Sequence, residues 1–433
     1  MTIAALEALS FGLGRTARAA HASGHRFVLL TGDRSVYRHE LATAHGAYGV
    51  DVIDVDTFDP DAVRDALARL PDLAGLINTT DTWSVPAADL AQELGLPGPD
   101  PEAVKLLRDK ARVRRTLHRA GLSAGTAVEV EPRPDSAELV LQAVGLPAVL
   151  KVSAGTSSRD VWIVHDYEGL RTALGEAEGR AGGGTGVGAV DAVGGSGAVG
   201  GSGGLNGSLF AEPFLAGPLY SAETLSWEGH TRLLGVLSRQ TSRRPAVREE
   251  AAAFPVALPP GELAAIERWV GDVLATTGHE QGFAHVEFVL TRRGPELVEI
   301  NRRIGGALVA EAMCRTLDVN VYEALVDVTL GRRPRLLDAP LRPTGPAVAF
   351  VLVYADEPGV LEGWSGLEGL NAFPGEVSWY PVRAPGDSVR HVGDQRGCTG
   401  MVLAEAPTAE LAQHRAWSAA TTVRPVMKTA ERG

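Results

Sequence analysis

Lysine is nearly missing from this chain. Arg and Lys together number 41 of 433 residues, yet the lysines are only Lys105, Lys110, Lys151 and Lys428. Arg and Lys are not interchangeable, since one offers a planar fork and the other a compact point charge. A chain that uses Arg almost everywhere therefore draws notice to the places where Lys remains. Cysteine is equally scarce: Cys314 and Cys398 form no CxxC spacing and are too few for a disulfide framework, so a reducing cytoplasm is the expected compartment. No apolar run approaches the roughly 18 to 20 residues that span a bilayer, which excludes a spanning role. The start, MTIAALEALSFGLGR, has no basic residues ahead of an apolar stretch and does not read as a secretory leader. Positive charge is also short. The formal charge of −12 opposes nonspecific nucleic-acid binding.

What is present suits a multidomain enzyme. Composition is ordinary, at 45% hydrophobic and 22% charged, and the length allows two or three cores. Over the first hundred residues, short apolar runs (FVLL at 27–30, VDVIDV at 50–55, LAGLIN at 73–78) alternate with helix-like stretches. That rhythm predicts a parallel sheet with crossover helices. Ser10-Phe-Gly12-Leu-Gly14 holds only a G-x-G with no clear strand before it, so a helix start is favoured over a nucleotide turn. The loop Asn78-Thr-Thr-Asp81-Thr-Trp83 follows an apolar strand, where open α/β sheets bind ligands, and is a candidate substrate loop.

Leu96-Pro-Gly-Pro-Asp-Pro101 reads as a linker closing a first domain, 1–100. A helix is expected from Glu102 to Ala120, then the strand Pro147–Val152, the small-residue loop Ser153-Ala-Gly155-Thr156-Ser157-Ser158, and a strand at 161–164. A lysine, Lys151, leaving a strand beside such a loop suggests a phosphate site: small residues let backbone N–H groups approach, and the ammonium supplies charge. Residues 181–207 are Gly-dominated and aperiodic, and read as a flexible insertion. From about Pro343, short β-rich pieces (AVAFVLVYA, VSWYPV, GMVLAEA) and a final helix form a closing lobe.

The densest chemistry lies between Gly282 and Gly306. Two alternating strands flank the turn TRRGP, predicting a β-hairpin. Side chains repeat every second residue, so His285 and Glu287 share one face and Glu299, Asn301 and Arg303 share a face of the partner. If the register pairs those faces, Glu287, Glu299 and Asn301 converge, and such a set carries repulsion and desolvation cost unless a cation sits among them. Mg²⁺ is the expected ion, because it takes hard oxygen ligands and completes its shell with phosphates.

These residues resemble the ATP-grasp carboxylate–amine ligases, in particular the bacterial L-amino acid and dipeptide ligase branch, through H-x-E-F, a turn, and E-x-N-x-R-x-G-G. The resemblance runs through most of the chain. It implies an α/β ATP-grasp fold with an N-terminal parallel α/β domain, an ATP-grasp domain over 101–340 with a small lid subdomain at about 123–208, and a C-terminal α+β lobe over 341–433. It implies ATP and magnesium, two ions with Mn²⁺ able to substitute, held by Glu287, Glu299 and Asn301, with Arg303 at the phosphate and acyl group. Arg108-Asp109-Lys110 looks like the family's D-K element, Lys151 like the second ATP lysine with Ser153 and the loop through Ser158 as phosphate cover, and Glu212, Phe214 and Leu215 like the adenine and ribose hinge. Departures fall at Leu219, where relatives often carry an acid that Glu223 is expected to replace, at Arg302, often proline, and at Asp160, often glycine.

The implied reaction is ATP-dependent joining of a carboxylate to an amine through an acyl phosphate. Small-molecule carboxylate and amine are the expected partners, with no nucleic acid, no membrane, and a homodimer as one assembly the chain allows. His285, beside the metal cluster, either orients substrate or packs as a strand histidine. Two alternatives stay open: a biotin-carboxylase-like or purine-pathway enzyme activating bicarbonate or formate, and a nucleotide-binding module without catalysis.

Overall fold

Strand Thr2–Leu6 is buried along its whole length, as a parallel strand covered on both faces must be. With Arg26–Thr31, Val50–Asp54 and Leu73–Ile77 it makes a four-stranded, wholly parallel sheet in which Thr2–Leu6 lies between Arg26–Thr31 and Leu73–Ile77. This computed structural model describes residues 1–43, 49–153, 160–181, 208–242, 248–341 and 343–428. Most of the Gly-rich stretch, from 182, and the loop residues Gly155, Thr156, Ser157 and Ser158 lie outside them.

A strand thus does precede the Gly12–Gly14 turn, contrary to the sequence reading, in which the short, small-sided TIAAL does not stand out. The helix begins at Leu13 as expected and runs to Ala22. Gly12 has φ +97°, and any Cβ there would collide with the Tyr322 hydroxyl, so both backbone and space demand glycine. At the first turn, Gly14 N donates to Glu40 Oε2 at 2.9 Å. A carboxylate of the chain thus occupies the anion position that a phosphate takes at helix N-termini, which explains why this turn is no nucleotide site.

The helix expected from Glu102 to Ala120 is two helices, Pro101–Arg108 and Lys110–Arg119. Asp109 breaks it: its backbone is extended, and its carboxylate caps the second helix by accepting from Arg112 N. Lys110 therefore stands at a helix start, and its N–H bonds Ser153 O at 3.2 Å.

Besides a three-stranded antiparallel sheet of Ser388–Val389, Gly359–Ser365 and Arg424–Lys428, two antiparallel sheets carry the rest. The smaller orders Val128–Glu129, Leu209–Pro213, Ala148–Val152 and Val161–Val164, with helices Ala137–Ala143 and Tyr167–Ala181 packed on it. The larger has eight strands: Gly294–Asn301, Gly282–Thr291, Leu219–Trp227, His230–Thr241, Glu249–Phe254, Ala347–Tyr354, Cys398–Ala406 and Ser378–Pro381. Glu249–Phe254 pairs directly with Ala347–Tyr354. The boundary expected at 340/341 therefore falls between strands that share one sheet, and the closing lobe extends the sheet that bears the hairpin. Helices Val309–Leu317 and Val321–Thr329 fill the space between this sheet and the N-terminal one, in a core running from Ile3 and Leu29 to Phe350 and Leu403. Among the described residues no helix is long and apolar enough to cross a membrane.

Candidate active site

The hairpin forms as the alternation predicts, over Gly282–Thr291 and Gly294–Asn301. Its register pairs His285 with Asn301 and Glu287 with Glu299, so these four side chains share one face. A bulge follows Glu287, leaving Val298 unopposed, and Lys151 Nζ approaches the Val298 carbonyl at 3.3 Å. The irregularity thus aims a carbonyl at a lysine from the smaller sheet. On the other flank, Leu219–Trp227 pairs Ser221 with Glu287 and Glu223 with His285.

Each acid of this face has a cationic partner from elsewhere. Glu299 Oε2 lies 3.1 Å from Lys110 Nζ. Glu287 Oε1 lies 2.6 Å from Nη1 of Arg239, whose Nε and Nη2 grip Glu249 at 3.1 and 2.9 Å. Burial pushes the Glu287 carboxyl up, but Arg239 and His285 outweigh it and hold it well below the usual carboxylate range. Burial would likewise lower His285; the Glu223 carboxylate, 2.6 Å from Nδ1, wins and pushes it up to about 9. Nε2 lies 3.4 Å from Glu287 Oε1 and 2.8 Å from Arg239 Nη1. The charged imidazole thus donates from Nδ1 to Glu223, and Glu287 Oε1 stands between Nε2 and Arg239 Nη1 as the acceptor for both.

A second cluster sits where the smaller sheet meets the hairpin. Lys151 Nζ is 2.6 Å and Arg114 Nε 2.9 Å from the two oxygens of Glu212. Burial lowers the Lys151 ammonium and raises the Glu212 carboxyl; the latter nonetheless ends below its ordinary value because Arg114 and Lys151 flank it. Arg114 also donates to Leu297 O, tying helix Lys110–Arg119 to the hairpin. Past Glu212, Phe214 N donates to Pro147 O, while Phe214 and Leu215 stay half-buried at the mouth of this cleft.

Arg303, two residues beyond Asn301, is tied to the N-terminal sheet. Its Nε and Nη2 lie 2.8 and 2.7 Å from Oδ2 of Asp81, in the loop after Leu73–Ile77. Arg108 approaches the other oxygen at 3.8 Å. Burial opposes ionisation of Asp81, yet Arg303 and Arg108 hold its carboxyl below the ordinary value. The candidate substrate loop is thus an anchor for the arginine.

Two carboxylates and an amide oxygen on one face form a hard donor set, and the buried Ser221 hydroxyl opposite Glu287 has no partner. No group of three or more His, Cys, Asp or Glu side chains is gathered for a metal among the described residues. That combination suits Mg²⁺, which binds through one or two carboxylates and leaves positions for phosphate oxygens.

Three family models match the chain in order: an ATP-grasp N-terminal domain over residues 17–98, an ATP-grasp domain over 201–311, and an L-amino acid ligase C-terminal domain 2 over 351–428. The chain belongs to the ATP-grasp ligase family. An L-amino acid ligase from Bacillus licheniformis has the same fold, with a TM-score of 0.78 over 99% of this chain and 98% of that one at 18% identity. The biotin carboxylase domain of Hydrogenobacter thermophilus 2-oxoglutarate carboxylase matches with a TM-score of 0.71 over 98% and 90%, also at 18% identity. In sequence, the chain is 26% identical over 390 residues to the uncharacterised protein y4rH of Sinorhizobium fredii (strain NBRC 101917 / NGR234), covering 88% of this chain and 73% of that one. It is 27% identical over 318 residues to human carnosine synthase 1, covering 70% of this chain but only 36% of that protein's length. Ligases of this family form C–N bonds at the expense of ATP with Mg²⁺ or Mn²⁺.

Within this ATP-grasp ligase, the residues expected at the site are brought together unevenly. Lys110 reaches Glu299 and Lys151 the Val298 carbonyl of the hairpin, while Ser153 O accepts from Lys110 N and Glu287 pairs with Arg239. Glu223 does not stand in for an acid at Leu219: its carboxylate is turned to His285. Glu212 reaches the cleft floor, where its carboxylate is held by Lys151 and Arg114. Sequence reasoning missed Arg114, Arg239, Glu249 and the role of Asp81. Arg and Glu at those positions carry no motif, and only long-range packing reveals them. Arg302, in place of the common proline, donates to Gln281 O at 2.8 Å and is lowered to about 10 by burial. Asp160 has φ +54°, the left-handed region that makes glycine common there, and pairs with Arg180 at 2.5 Å.

Proposed function

We propose that this ATP-grasp ligase joins the carboxylate of an amino acid or small acid to an amine, giving an amide or dipeptide with ADP and phosphate. The observation that carries the reading is the register of Glu287 against Glu299, flanked by Lys110 and Lys151 on one side and by the anchored Arg303 on the other. In this reading a substrate carboxylate oxygen attacks the γ-phosphorus of ATP, and the bond to the bridging oxygen of ADP breaks. The amine nitrogen then attacks the acyl carbon, phosphate leaves, and the amine's proton is released to solvent.

Lys110 and Lys151 offset phosphate charge, and the backbone of Phe214 and Leu215 borders the nucleotide's base. Glu287, Glu299 and Asn301 would hold magnesium, two ions if phosphates bridge them, which neutralises charge developing on the transferring phosphoryl group. Arg303, kept in place by Asp81, stabilises the anionic oxygen of the tetrahedral intermediate. His285, fixed by Glu223, is a positioning residue for Glu287 and for the turn after Arg303: a Cβ on Gly305 would lie 2.9 Å from its Nδ1.

The test is ADP release over a panel of amino-acid pairs, with products identified by mass. Amide formation that requires Mg²⁺ or Mn²⁺ and is abolished in Glu299→Gln and Arg303→Ala, both folded, supports the reading. Turnover that depends on bicarbonate and yields no amide from any pair sinks it in favour of a carboxylating enzyme, and near-normal activity in either variant removes that residue from the site.

A further inference from the structure

Between the N-terminal sheet and the lobe that extends the large sheet lies a cavity of about 300 Å³. Its walls include Phe11 from the first turn, His39 and Glu40 from the short helix Arg38–Ala42, Ala307 and Leu308 from the turn after Arg303, and Tyr380 from the last strand of the sheet. The cavity adjoins the proposed reaction centre. Gly305 packs on His285, and two residues later Ala307 forms the cavity wall.

Three rings of the cavity wall pack edge to face on one another. Phe11 and Tyr380 have centroids 5.7 Å apart at 81°, Phe11 and His39 6.2 Å at 65°, and His39 and Tyr380 6.4 Å at 69°. Such rings favour another ring set edge-on or offset against them. Burial holds His39 below the ordinary imidazole value, so a neutral third ring faces the cavity.

The charges around the cavity are largely spent on one another. Arg15 forks onto both oxygens of Glu311 at 2.7 and 3.0 Å. Arg315 bonds Glu311 at 2.8 Å, Glu405 at 2.7 Å and the Tyr380 hydroxyl at 2.7 Å. Two arginines and two glutamates thus cancel and fix the Tyr380 ring. Glu40 accepts from Gly14 N at 2.9 Å, and Arg18 lines the cavity beside it. The Glu40 carboxylate faces the cavity as an acceptor for an ammonium or a ring N–H. A space of this volume lies at the small end of ligand pockets. The space admits a ring side chain, whereas a methyl leaves nearly all of it empty.

We infer that this cavity receives the side chain of one of the two substrates, and that this substrate is a ring-bearing amino acid. The assignment rests on the ligase reading for the word substrate, but the binding it describes is measurable without turnover. Titration calorimetry of the full chain with Mg²⁺ and a non-hydrolysable ATP analogue would compare Phe, Tyr, Trp and His with Ala, Leu and Arg. At least one ring-bearing amino acid binds at least tenfold more tightly than Ala, Leu and Arg. Phe11→Ala weakens that binding tenfold or more, about 1.4 kcal/mol, and leaves Ala binding within twofold. Phe11→Leu keeps the apolar volume without the ring and is expected to behave alike, which separates ring contact from a misfolded variant. Equal binding of Leu and the ring-bearing set in the wild type overturns the inference, as does an equal loss for every amino acid in Phe11→Leu, or no loss at all. Ring-selective binding without amide formation would sink the ligase reading and leave the pocket standing.

Discussion

Oδ2 of Asp81 receives both Nε and Nη2 of Arg303, at 2.8 and 2.7 Å, across 222 residues of sequence. The pair is buried and joins the loop of one domain to the loop that follows the metal-side strand of another. Arg303 is therefore aimed by a residue outside its own motif.

Removing Asp81 leaves a buried guanidinium with no carboxylate. Breaking such a pair costs on the order of 3–5 kcal/mol, so Asp81→Ala is expected to lower stability by about that amount in urea unfolding. Asp81→Asn keeps the shape and is expected to lose about tenfold or more in kcat, by analogy with other groups that orient a catalytic residue, while KM for ATP stays near the wild-type value. The sign for pH follows from the depressed carboxyl: its stabilisation is complete above the unfolded value near 4 and is lost as pH falls further. Wild-type kcat in Asp81→Asn would show that Arg303 needs no such anchor.

Arg239 serves two carboxylates at once, with Glu249 on Nε and Nη2 and Glu287 on Nη1. A lysine has one charged nitrogen and cannot span them. Arg239→Lys is expected to lower kcat by roughly 10- to 100-fold and to change the Mg²⁺ concentration for half-maximal rate, since Glu287 loses the group that orients it. The magnesium dependence is the deciding readout. If it is unmoved, Arg239 serves the fold alone.

His279 reports on acid stability. It is buried, and its side chain has one partner, with Nε2 3.2 Å from Gly282 O. Burial, aided by Arg302, lowers it to about 3. A depressed imidazole means that the fold holds the neutral ring. Its contribution is therefore complete above the unfolded value near 6.5 and is lost as pH falls from there toward 3, at up to about 1.4 kcal/mol per pH unit. His279→Gln should flatten the decline in urea midpoint between pH 6.5 and 4 relative to the wild type. Parallel curves for the two proteins would mean that the ring accepts its proton without cost.

Much of this was legible before the fold. Period-2 alternation placed the hairpin and its shared face, and the scarcity of lysine drew notice to Lys110 and Lys151, which the fold sets beside Glu299 and Glu212. The failures have local causes. The strand Thr2–Leu6 escaped notice because small residues carry little β signal, and the break at Asp109 was missed because its neighbours on both sides favour helix, while a cap is a matter of backbone geometry. Alternation puts Glu223 on the face of Leu219, where it is expected to replace the missing acid, but alternation tells which face a side chain takes and not which neighbour on that face it meets.

The sequence by itself determined the chemistry available: hard oxygen donors on facing strands, Lys151 beside a small-residue loop, Lys110 after Asp109, and an arginine past the last donor. Periodicity and residue type are local properties, so they are written in the chain. Only the tertiary structure decided who holds whom: Asp81 on Arg303, Arg239 across Glu249 and Glu287, Arg114 with Lys151 on Glu212, and three rings in one cavity wall. Those partners lie tens to hundreds of residues apart, and a buried charge takes whichever opposite charge packing brings within reach.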